Sequence, residues 1–292
     1  MAVSANRPAS PVHVVGVGMI PFSKPGASAP YAQMGEQAAR AALQDAGVDY
    51  ASVQQAYVGY VYGDSTCGQA AVYGVGLTGI PVVNVTNNCS TGSTALFLAR
   101  QAVASGAADC VLALGFEQMQ PGALKSHWDD RPPPTARFID AMQAHQGYDP
   151  AAPRAAQFFG GAGRDYMRQY GIAPETFGRI AVKARQHAAR NPLAVFRQPL
   201  TLEEVMASST VWGPLTRFQC CPPTCGAAAA IVCSAEFARR HGLDMRVRIA
   251  AQAMTTDTAS TFDSQDMRKV VGYDMARAAA AQVYEQAGIG PE

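Results

Sequence analysis

The first 120 residues alternate between strand-like and helix-like patterns of hydrophobic positions. Val12–Met19 is a β-branched, alternating run that predicts a buried strand, and Tyr31–Ala46 has the amphipathic pattern of a helix that ends at Gly47. A second strand is predicted over residues 55–62, and a turn at residues 63–69 leads into a short helix that reaches about residue 75.

The same alternation continues around Cys89. A short β-branched run at residues 81–86 predicts another buried strand, Asn87-Asn88 a turn, and residues 90–104 a helix that stops at Gly106. A further strand is predicted over residues 109–116. Strands that alternate with helices predict an α/β protein with a largely parallel sheet that is covered on both faces.

The pattern changes after residue 119. Residues 120–200 carry eleven Lys or Arg against six Asp or Glu, a net charge of +5. The segment begins with a Pro-rich irregular stretch, and helices are predicted over residues 155–170 and 174–189. We interpret it as a lobe inserted beside the sheet, although a solvated helix face is the ordinary explanation of such charge.

The end of the chain repeats the pattern of its beginning. Small residues at 218–233 predict a tightly packed strand. Residues 247–254 then resemble Val12–Met19, and residues 275–287, ending at Gly288, resemble the first long helix. This repetition predicts a doubled βαβ fold whose second copy breaks off after one strand and one helix.

Composition excludes several classes of function. The chain of 292 residues with 48% hydrophobic content can bury a sizeable core, and its net charge of +1 argues against nucleic acid as a partner. No apolar run reaches the length of a membrane span. The seven Cys have no regular spacing and no signal peptide is evident, so we expect free thiols and a cytoplasmic location. The Cys and His spacings predict no metal site.

Cys89 lies where a predicted strand gives way to a predicted helix. The unpaired N–H groups and the dipole at a helix N-terminus stabilise a thiolate or an oxyanion held there, and the small residues 90–93 leave room for a substrate carbonyl. On local features alone, a nucleophile and a buried structural cysteine are equally consistent. Cys67, in the loop after the second strand, has no base nearby and fits a structural role better.

The segment around Cys89 resembles the nucleophile segment of the thiolase superfamily, in particular the sterol carrier protein X type, which are lipid-transfer-protein-like thiolases. That segment is Asn87-Asn88-Cys89-Ser90-Thr91-Gly92-Ser93-Thr94-Ala95-Leu96. Four others agree in the same order: Val14-Val15-Gly16-Val17-Gly18-Met19, Gly63-Asp64-Ser65-Thr66-Cys67-Gly68-Gln69, Val111-Leu112-Ala113-Leu114-Gly115-Phe116-Glu117 and Gln219-Cys220-Cys221-Pro222. The likeness extends from Val12 to the last residue.

The resemblance implies the thiolase fold, in which doubled βαβ halves form layers of mixed, mostly parallel sheets with an inserted loop domain. The second half is incomplete in this chain. The implied divisions are a disordered leader at 1–11, an N-terminal half with the nucleophile at 12–119, a loop domain that binds coenzyme A (CoA) at 120–218, a return to the core sheet at 219–246, and the start of a truncated C-terminal half at 247–292.

The resemblance also implies the chemistry. Cys89 is then the catalytic nucleophile, and its backbone N–H belongs to the oxyanion hole. The implied enzyme cleaves a 3-oxoacyl-CoA, and the resemblance extends to branched-chain and sterol-derived acyl groups. CoA is a substrate, and no permanently bound cofactor is expected. Candidate residues for its phosphates are Lys125, Arg131, Lys183 and Arg185.

The chain departs from the family in two ways. Its acid/base segments, His-Asp-Cys-Phe and Gly-His-Pro, do not occur here, and Thr224-Cys225-Gly226 replaces the usual Ser-Asp-Gly. We therefore expect activity to need an absent C-terminal part, in the same polypeptide or as a complementing chain. If this chain suffices, the first acid/base candidates are His127, His145 and His187, whose spacing offers weak support.

Three alternatives stay open. The first is a thiolase-fold aldolase subunit that acts on steroid side-chain CoA esters together with a partner protein. The second is a non-catalytic module that binds acyl-CoA or lipid, and the third is an incomplete polypeptide. Retention of Cys89 tilts slightly against the aldolase. The resemblance further implies a homodimer or tetramer.

Overall fold

The computed structural model describes residues 11–122 and 128–292, which fall into two compact units. The first unit comprises the described residues up to Pro121 together with residues 224–254 and 284–292, and the second comprises 122–223 and 255–283. The second unit contains most of the predicted loop domain, and also residues 255–283, which the sequence pattern groups with a second thiolase half. The predicted leader falls almost wholly outside the described residues, as do Lys125 and His127.

The described chain forms short and long elements in this order. The strands are β1 (Val12–Met19), β2 (Gln55–Gly59), β3 (Val82–Val85), β4 (Cys110–Glu117), β5 (Thr210–Trp212), β6 (Leu215–Thr216) and β7 (Gly226–Ser234). The helices are α1 (Tyr31–Ala46), α2 (Cys67–Tyr73), α3 (Thr91–Ala104), α4 (Ala136–Gln146), α5 (Arg154–Tyr170), α6 (Glu175–Ala189), α7 (Leu202–Ala207), α8 (Ala235–His241), α9 (Ser260–Asp263), α10 (Met267–Val270) and α11 (Tyr273–Ala287), with 3-10 turns at Tyr50–Ser52 and Arg217–Gln219.

The first unit is built on a five-stranded sheet in the order β1-β7-β4-β2-β3. Strand β2 pairs in parallel with β3 and β4, whereas β7 is antiparallel to both of its neighbours, β1 and β4. Four of the five strands therefore run in the same direction, and the predicted largely parallel α/β sheet is confirmed.

Helices cover both faces of this sheet. On one face, α1, α2 and α8 enclose a core that includes Met34, Leu112 and Phe237. On the other face, α3 packs Ala99 and Val103 against the strands. Burial of apolar side chains on both faces explains why β4, between two neighbours, is hydrophobic along almost its whole length.

Most elements in the first unit lie close to their predicted bounds, and three predictions are wrong. The strand predicted over residues 218–233 begins only at Gly226, and residues 217–219 form a 3-10 turn. The run at residues 81–86 is mostly exposed, since β3 is the last strand of the sheet in the described part of the chain. Val83 is 43% exposed, and only Val85 of the run is buried. Residues 247–254 form no regular strand; they make only two backbone hydrogen bonds to β1, from Val14 N to Val247 O and from Ile249 N to Val12 O. Two bonds are too few for a ladder.

The second unit is mainly helical, with a small β5–β6 hairpin. Its helices α5 and α6 confirm the two predicted in the basic segment, each to within one residue. A small core forms around Met142, Met267 and Val270. None of the helices in the described part of the chain combines the length and apolar character that a membrane crossing requires.

A buried carboxylate, Asp165 of α5, links three helices of the second unit. Its Oδ2 accepts from the Met267 N–H of α10 at 3.1 Å and lies 3.0 Å from His145 Nε2 of α4. Its Oδ1 lies 3.4 Å from Arg168 Nη2 and 3.7 Å from Arg164 Nε. A buried carboxylate needs such partners because an unpaired charge is costly in the interior.

Candidate active site

The carboxyl ends of β2, β3 and β4 meet at one edge of the sheet. In the ladders Gly59 is opposite both Val85 and Gly115, so the loops that follow the three strands leave the sheet side by side. In open α/β sheets, this edge is where ligands bind. The loop after β3 carries Cys89.

Cys89 sits in a tight turn that delivers the chain into α3. Asn88 has a positive φ of 45°, a conformation that Asn tolerates better than most residues. The turn is closed by hydrogen bonds from Ser90 N to Asn87 O at 3.1 Å and from Thr91 N to Asn88 O at 3.2 Å. The thiol thus stands just ahead of the first helical residue, as the sequence predicts.

Two buried threonine hydroxyls hold this turn. Thr91 Oγ1 donates to Asn88 O at 2.6 Å and accepts from Asn87 N at 2.7 Å. Thr94 Oγ1 donates to Ser90 O at 2.9 Å and accepts from the Asn87 side-chain amide at 2.9 Å. The sequence pattern presents these residues only as small, and their role in bracing the backbone becomes visible once the turn is folded.

Cys89 is exposed, so the alternative of a buried structural cysteine is wrong for this residue. Cys67 is buried at the start of α2, and a hydrogen bond with its thiol is the main cause that raises the pKa of Tyr31 to about 12. That contact supports the structural role expected for Cys67. All seven cysteines are free thiols.

The start of α3 lies directly against the ends of β2 and β4. A Cβ atom added at Gly59 would lie 2.7 Å from Thr91 Cγ2 and 2.9 Å from Thr91 O, closer than real contacts allow. A Cβ atom added at Gly115 would lie 3.6 Å from Gly92 Cα, which is an ordinary contact distance. Only a residue without a side chain at position 59 lets the helix that follows Cys89 come this close.

A carboxylate that the sequence analysis did not single out as a functional residue lies at the same edge. Glu117, the last residue of β4, accepts from Val61 N at 2.9 Å and from Tyr62 N at 3.1 Å. Burial raises the pKa of the Glu117 carboxyl, although these N–H groups and that of Gln118 act in the opposite direction. In the sequence, the feature that could have indicated Glu117 is its position as a charged residue at the end of an apolar strand.

The Tyr62 phenol lies within electrostatic reach of both Glu117 and Cys89. Burial is the first cause that raises the pKa of the Tyr62 phenol, followed by the charge of Glu117 and then by the charge of Cys89. These three side chains therefore share one electrostatic environment at the carboxyl edge. The structure brings them together although they are 27 residues or more apart in sequence.

No histidine of the first unit's described residues lies at this edge. His13 is at the start of β1, where its Nδ1 lies 3.0 Å from Met245 O, and His241 ends α8 and stacks on Phe237. Both positions are at the opposite edge, since β1 runs parallel to β4 and α8 follows the antiparallel β7. His145 and His187 belong to the second unit.

The predicted CoA-binding residues differ in their surroundings. Arg131 is exposed and pairs with Asp130 at 2.6 Å. Lys183 and Arg185 lie on α6, and within the described chain neither pairs with a carboxylate. The Arg185 guanidinium lies over the rings of Phe196 and Phe218, at 5.1 and 5.9 Å from their centroids. Lys125 lies outside the described residues.

The departure at Thr224-Cys225-Gly226 has a structural consequence. Cys225 is buried and its thiol donates to Met119 O at 3.4 Å, so a thiol occupies the place where the family pattern has a carboxylate. Among the residues that the structure describes, no group of three or more His, Cys, Asp or Glu is arranged to hold a metal ion.

Comparison with known proteins identifies the family. The thiolase N-terminal domain family matches residues 12–236. Sterol carrier protein 2 of Rattus norvegicus is 49% identical over 295 residues, covering 99% of this chain and 54% of that protein. The benzoylsuccinyl-CoA thiolase subunit BbsB of Thauera aromatica is 32% identical over 283 residues, covering 96% of this chain and 69% of that protein.

Solved structures agree in fold. The Ltp2-ChsH2(DUF35) aldolase matches with a TM-score of 0.76 and 25% identity, over 96% of this chain and 70% of that one. A human mitochondrial 3-ketoacyl-CoA thiolase in complex with CoA matches with a TM-score of 0.69 and 17% identity, over 96% of this chain and 76% of that one. These matches confirm the predicted thiolase fold and the predicted resemblance.

The chain spans about half the length of the sterol carrier protein 2 relatives that it matches. The family match nevertheless covers most of its residues, including the Cys89 turn and the strands on which that turn is built. The chain therefore belongs to the thiolase family.

Proposed function

We propose that this chain carries the nucleophile of a thiolase-type acyltransferase that acts on a 3-oxoacyl-CoA. The observation that carries the proposal is the exposed Cys89 thiol on a rigid turn at the carboxyl edge of the sheet. The relatives named as thiolases support acyl transfer as the reaction class.

In the proposed reaction the Cys89 thiolate attacks the keto carbon of the substrate, and the carbonyl electrons move to oxygen. The N–H groups of Ser90 and Thr91 already donate within the turn, so we assign the oxyanion donor to the N–H of Cys89. When the carbonyl re-forms, the bond between C2 and C3 breaks, and acetyl-CoA or propionyl-CoA leaves after its C2 gains a proton. The acyl group stays on sulfur until the thiol of CoA takes it up.

The proton that leaves Cys89 and the proton that reaches C2 need an acid/base group. The described residues of the first unit provide no histidine at this edge. We therefore propose that full turnover requires a second half, in the same polypeptide or as a complementing chain, and that the chain alone is catalytically deficient. Lys183 and Arg185 are the proposed partners of the CoA phosphates.

We also propose a homodimer or larger assembly. Strand β3 leaves one edge of the sheet unpaired, and Tyr73 and Leu77 near it are 57% and 79% exposed. Unpaired edges and exposed apolar side chains favour association. Sedimentation at micromolar concentration checks this, and a monomer contradicts it.

Mass spectrometry of the intact protein after incubation with an acyl-CoA tests the acyl-transfer proposal, because transfer of the acyl group from CoA to Cys89 breaks no carbon–carbon bond and needs no proton at C2. The wild type is expected to gain one acyl group on Cys89, and Cys89→Ala to gain none. Cys221→Ala is the matched control, because Cys221 is also exposed and lies in the second unit, and it is expected to label like the wild type. An unchanged adduct in Cys89→Ala would overturn the assignment.

The aldolase alternative has one specific observation in its favour, the similarity to the solved Ltp2-ChsH2 aldolase. Retro-aldol cleavage requires no acyl group on sulfur. Cleavage of a β-hydroxyacyl-CoA without an adduct on Cys89 would therefore favour the aldolase, whereas binding of acyl-CoA with neither adduct nor cleavage would favour a carrier.

A further inference from the structure

The loop after β2 is held by a carboxylate from the neighbouring strand. Because Gly59 pairs with Gly115, Glu117 lies two residues beyond this pair on β4, level with Val61. Its two oxygens accept from consecutive backbone N–H groups, Oε2 from Val61 at 2.9 Å and Oε1 from Tyr62 at 3.1 Å. One carboxylate thus fixes two adjacent peptide groups.

This arrangement needs a carboxylate in particular. In the part of the chain that the structure describes, Glu117 forms no ion pair with Lys or Arg, so backbone N–H groups are what stabilise its charge. Hydrogen bonds to an ionised acceptor are stronger than neutral ones. A Gln side chain of the same shape would offer one carbonyl oxygen and would turn its NH₂ group toward the second N–H.

The loop so fixed carries Tyr62, and it leaves the sheet beside the loop that carries Cys89, because Gly59 of β2 pairs with Val85 of β3. The hydrogen bond from Tyr60 N to Val85 O, at 3.3 Å, joins β2 to β3 where the two loops begin to diverge. The close approach of Gly59 to Thr91 keeps the start of α3 against the same point. Tyr62 is 40% exposed, and its phenol lies within electrostatic reach of Cys89.

We propose that Glu117 is a positioning residue, which fixes the Val61–Tyr62 backbone so that the Tyr62 ring forms one wall of the acyl pocket beside Cys89. This inference rests on the proposed function and adds to it an element that orients the acyl group. Glu117 acts through Tyr62 and touches neither the substrate nor the reacting atoms.

The test compares two reactions of Cys89 in the same chain. Acylation by an acyl-CoA requires the acyl pocket, whereas alkylation by iodoacetamide requires only an accessible thiolate. In Glu117→Gln, acylation is expected to fall about tenfold, because small misplacements in a site have effects of this order, while alkylation stays within about twofold. Glu36→Gln, which alters an exposed Glu36–Arg40 pair in the same unit, is the matched control and should leave both rates unchanged.

Tyr62 variants separate positioning from a general loss of structure. Tyr62→Ala is expected to match Glu117→Gln, and the double variant Glu117→Gln/Tyr62→Ala to lose no more than either single variant. Equal losses of acylation and alkylation in Glu117→Gln, with a lower melting temperature, would overturn the proposal in favour of a merely structural role. Wild-type acylation in Glu117→Gln would overturn it as well.

Hydrogen exchange gives a readout that does not depend on activity. The amides of Val61 and Tyr62 are expected to exchange about tenfold faster in Glu117→Gln, since their acceptor is weakened. If the wild type gains no acyl group, the proposed function fails. The role of Glu117 is then decided by two other measurements, the exchange rates of the Val61 and Tyr62 amides and the rate of Cys89 labelling by N-phenylmaleimide relative to that by iodoacetamide. Unchanged exchange or an unchanged ratio in Glu117→Gln would overturn it.

Discussion

The Cys89 turn and the surroundings of Asp165 hold the chain in place by different means. The turn uses uncharged groups: two threonine hydroxyls, backbone carbonyls and a glycine contact. Asp165 uses a buried carboxylate, with the guanidinium groups of Arg164 and Arg168 and a ring nitrogen of His145 around it. The first arrangement fixes a single exposed thiol, and the second ties helices together.

The difference has a physical reason. An ion pair beside a nucleophile would bias the charge of the thiol permanently, whereas neutral hydrogen bonds fix its position and leave the field of the helix N-terminus to act on it. Where no reacting group is nearby, one buried carboxylate can bind polar groups from several helices and so hold the helices together. Glu117 is intermediate, because backbone N–H groups offset part of the cost of burying its charge.

The largest change in the free energy of unfolding is expected at Asp165, whose buried charge holds helices together. Asp165→Ala leaves the buried Met267 N–H without its acceptor and separates α4 from α5, which should lower the free energy of unfolding by about 3 kcal/mol. Asp130→Ala, which removes the partner of exposed Arg131, is the control and should have no measurable effect. Urea unfolding of both variants checks this, and equal effects would contradict the comparison.

A smaller loss of stability is expected at Gly59, where close packing holds the start of α3 against the sheet. Gly59→Ala places a methyl group against Thr91 and should cost about 2 kcal/mol, as overpacking does elsewhere. Gly92→Ala is the matched control, since an added Cβ there meets no atom within 4 Å and Ala is the better helix former. The measurement is urea unfolding together with iodoacetamide labelling of Cys89, which should slow in Gly59→Ala as the turn shifts.

Charge in the second unit should matter for binding more than for stability. Lys183→Glu combined with Arg185→Glu is expected to weaken CoA affinity about tenfold in low salt, and the difference should shrink as salt screens the phosphates. Arg239→Glu, a charge reversal at an exposed residue of α8, is the control. Calorimetric titration with CoA checks this, and an equal effect of the control would indicate nonspecific attraction.

The smallest effect concerns Glu117 and pH. Since its pKa is raised in the folded state, protons bind more tightly there than in the unfolded chain. Its contribution to stability is therefore fully present below the ordinary pKa of Glu and is lost as pH rises through the raised pKa. Unfolding of the wild type and Glu117→Gln across this window should show the wild type losing stability relative to the variant. A parallel pH dependence would contradict the burial argument.

Much of the local structure follows from the sequence. The period-2 pattern of β1 and the amphipathic pattern of α1, closed by Gly47 with a φ of 67°, gave their bounds without error. The position of Cys89 before α3 was equally readable. Local propensity decides these features, because each depends on residues that are neighbours in sequence.

The pattern of hydrophobic positions gave a wrong prediction for two strand-like runs, which pack differently in the fold from what their residues suggest. The β-branched run at β3 predicts burial, yet it became an edge strand, since the order of strands is set by the whole sheet. Residues 247–254 share the pattern of β1 but found only two backbone partners. Pairing partners, which lie far away in sequence, decide whether a strand-like run is a strand.

The sequence by itself determined the family, the nucleophile candidate and the helices and strands around it. Only the tertiary structure decided that Cys89 is exposed, that Gly59 admits the start of α3, and that Glu117 clamps the loop carrying Tyr62. These contacts join residues from three parallel strands whose carboxyl ends coincide. Such a meeting depends on the register and order of the strands, which a pattern of hydrophobic positions does not encode.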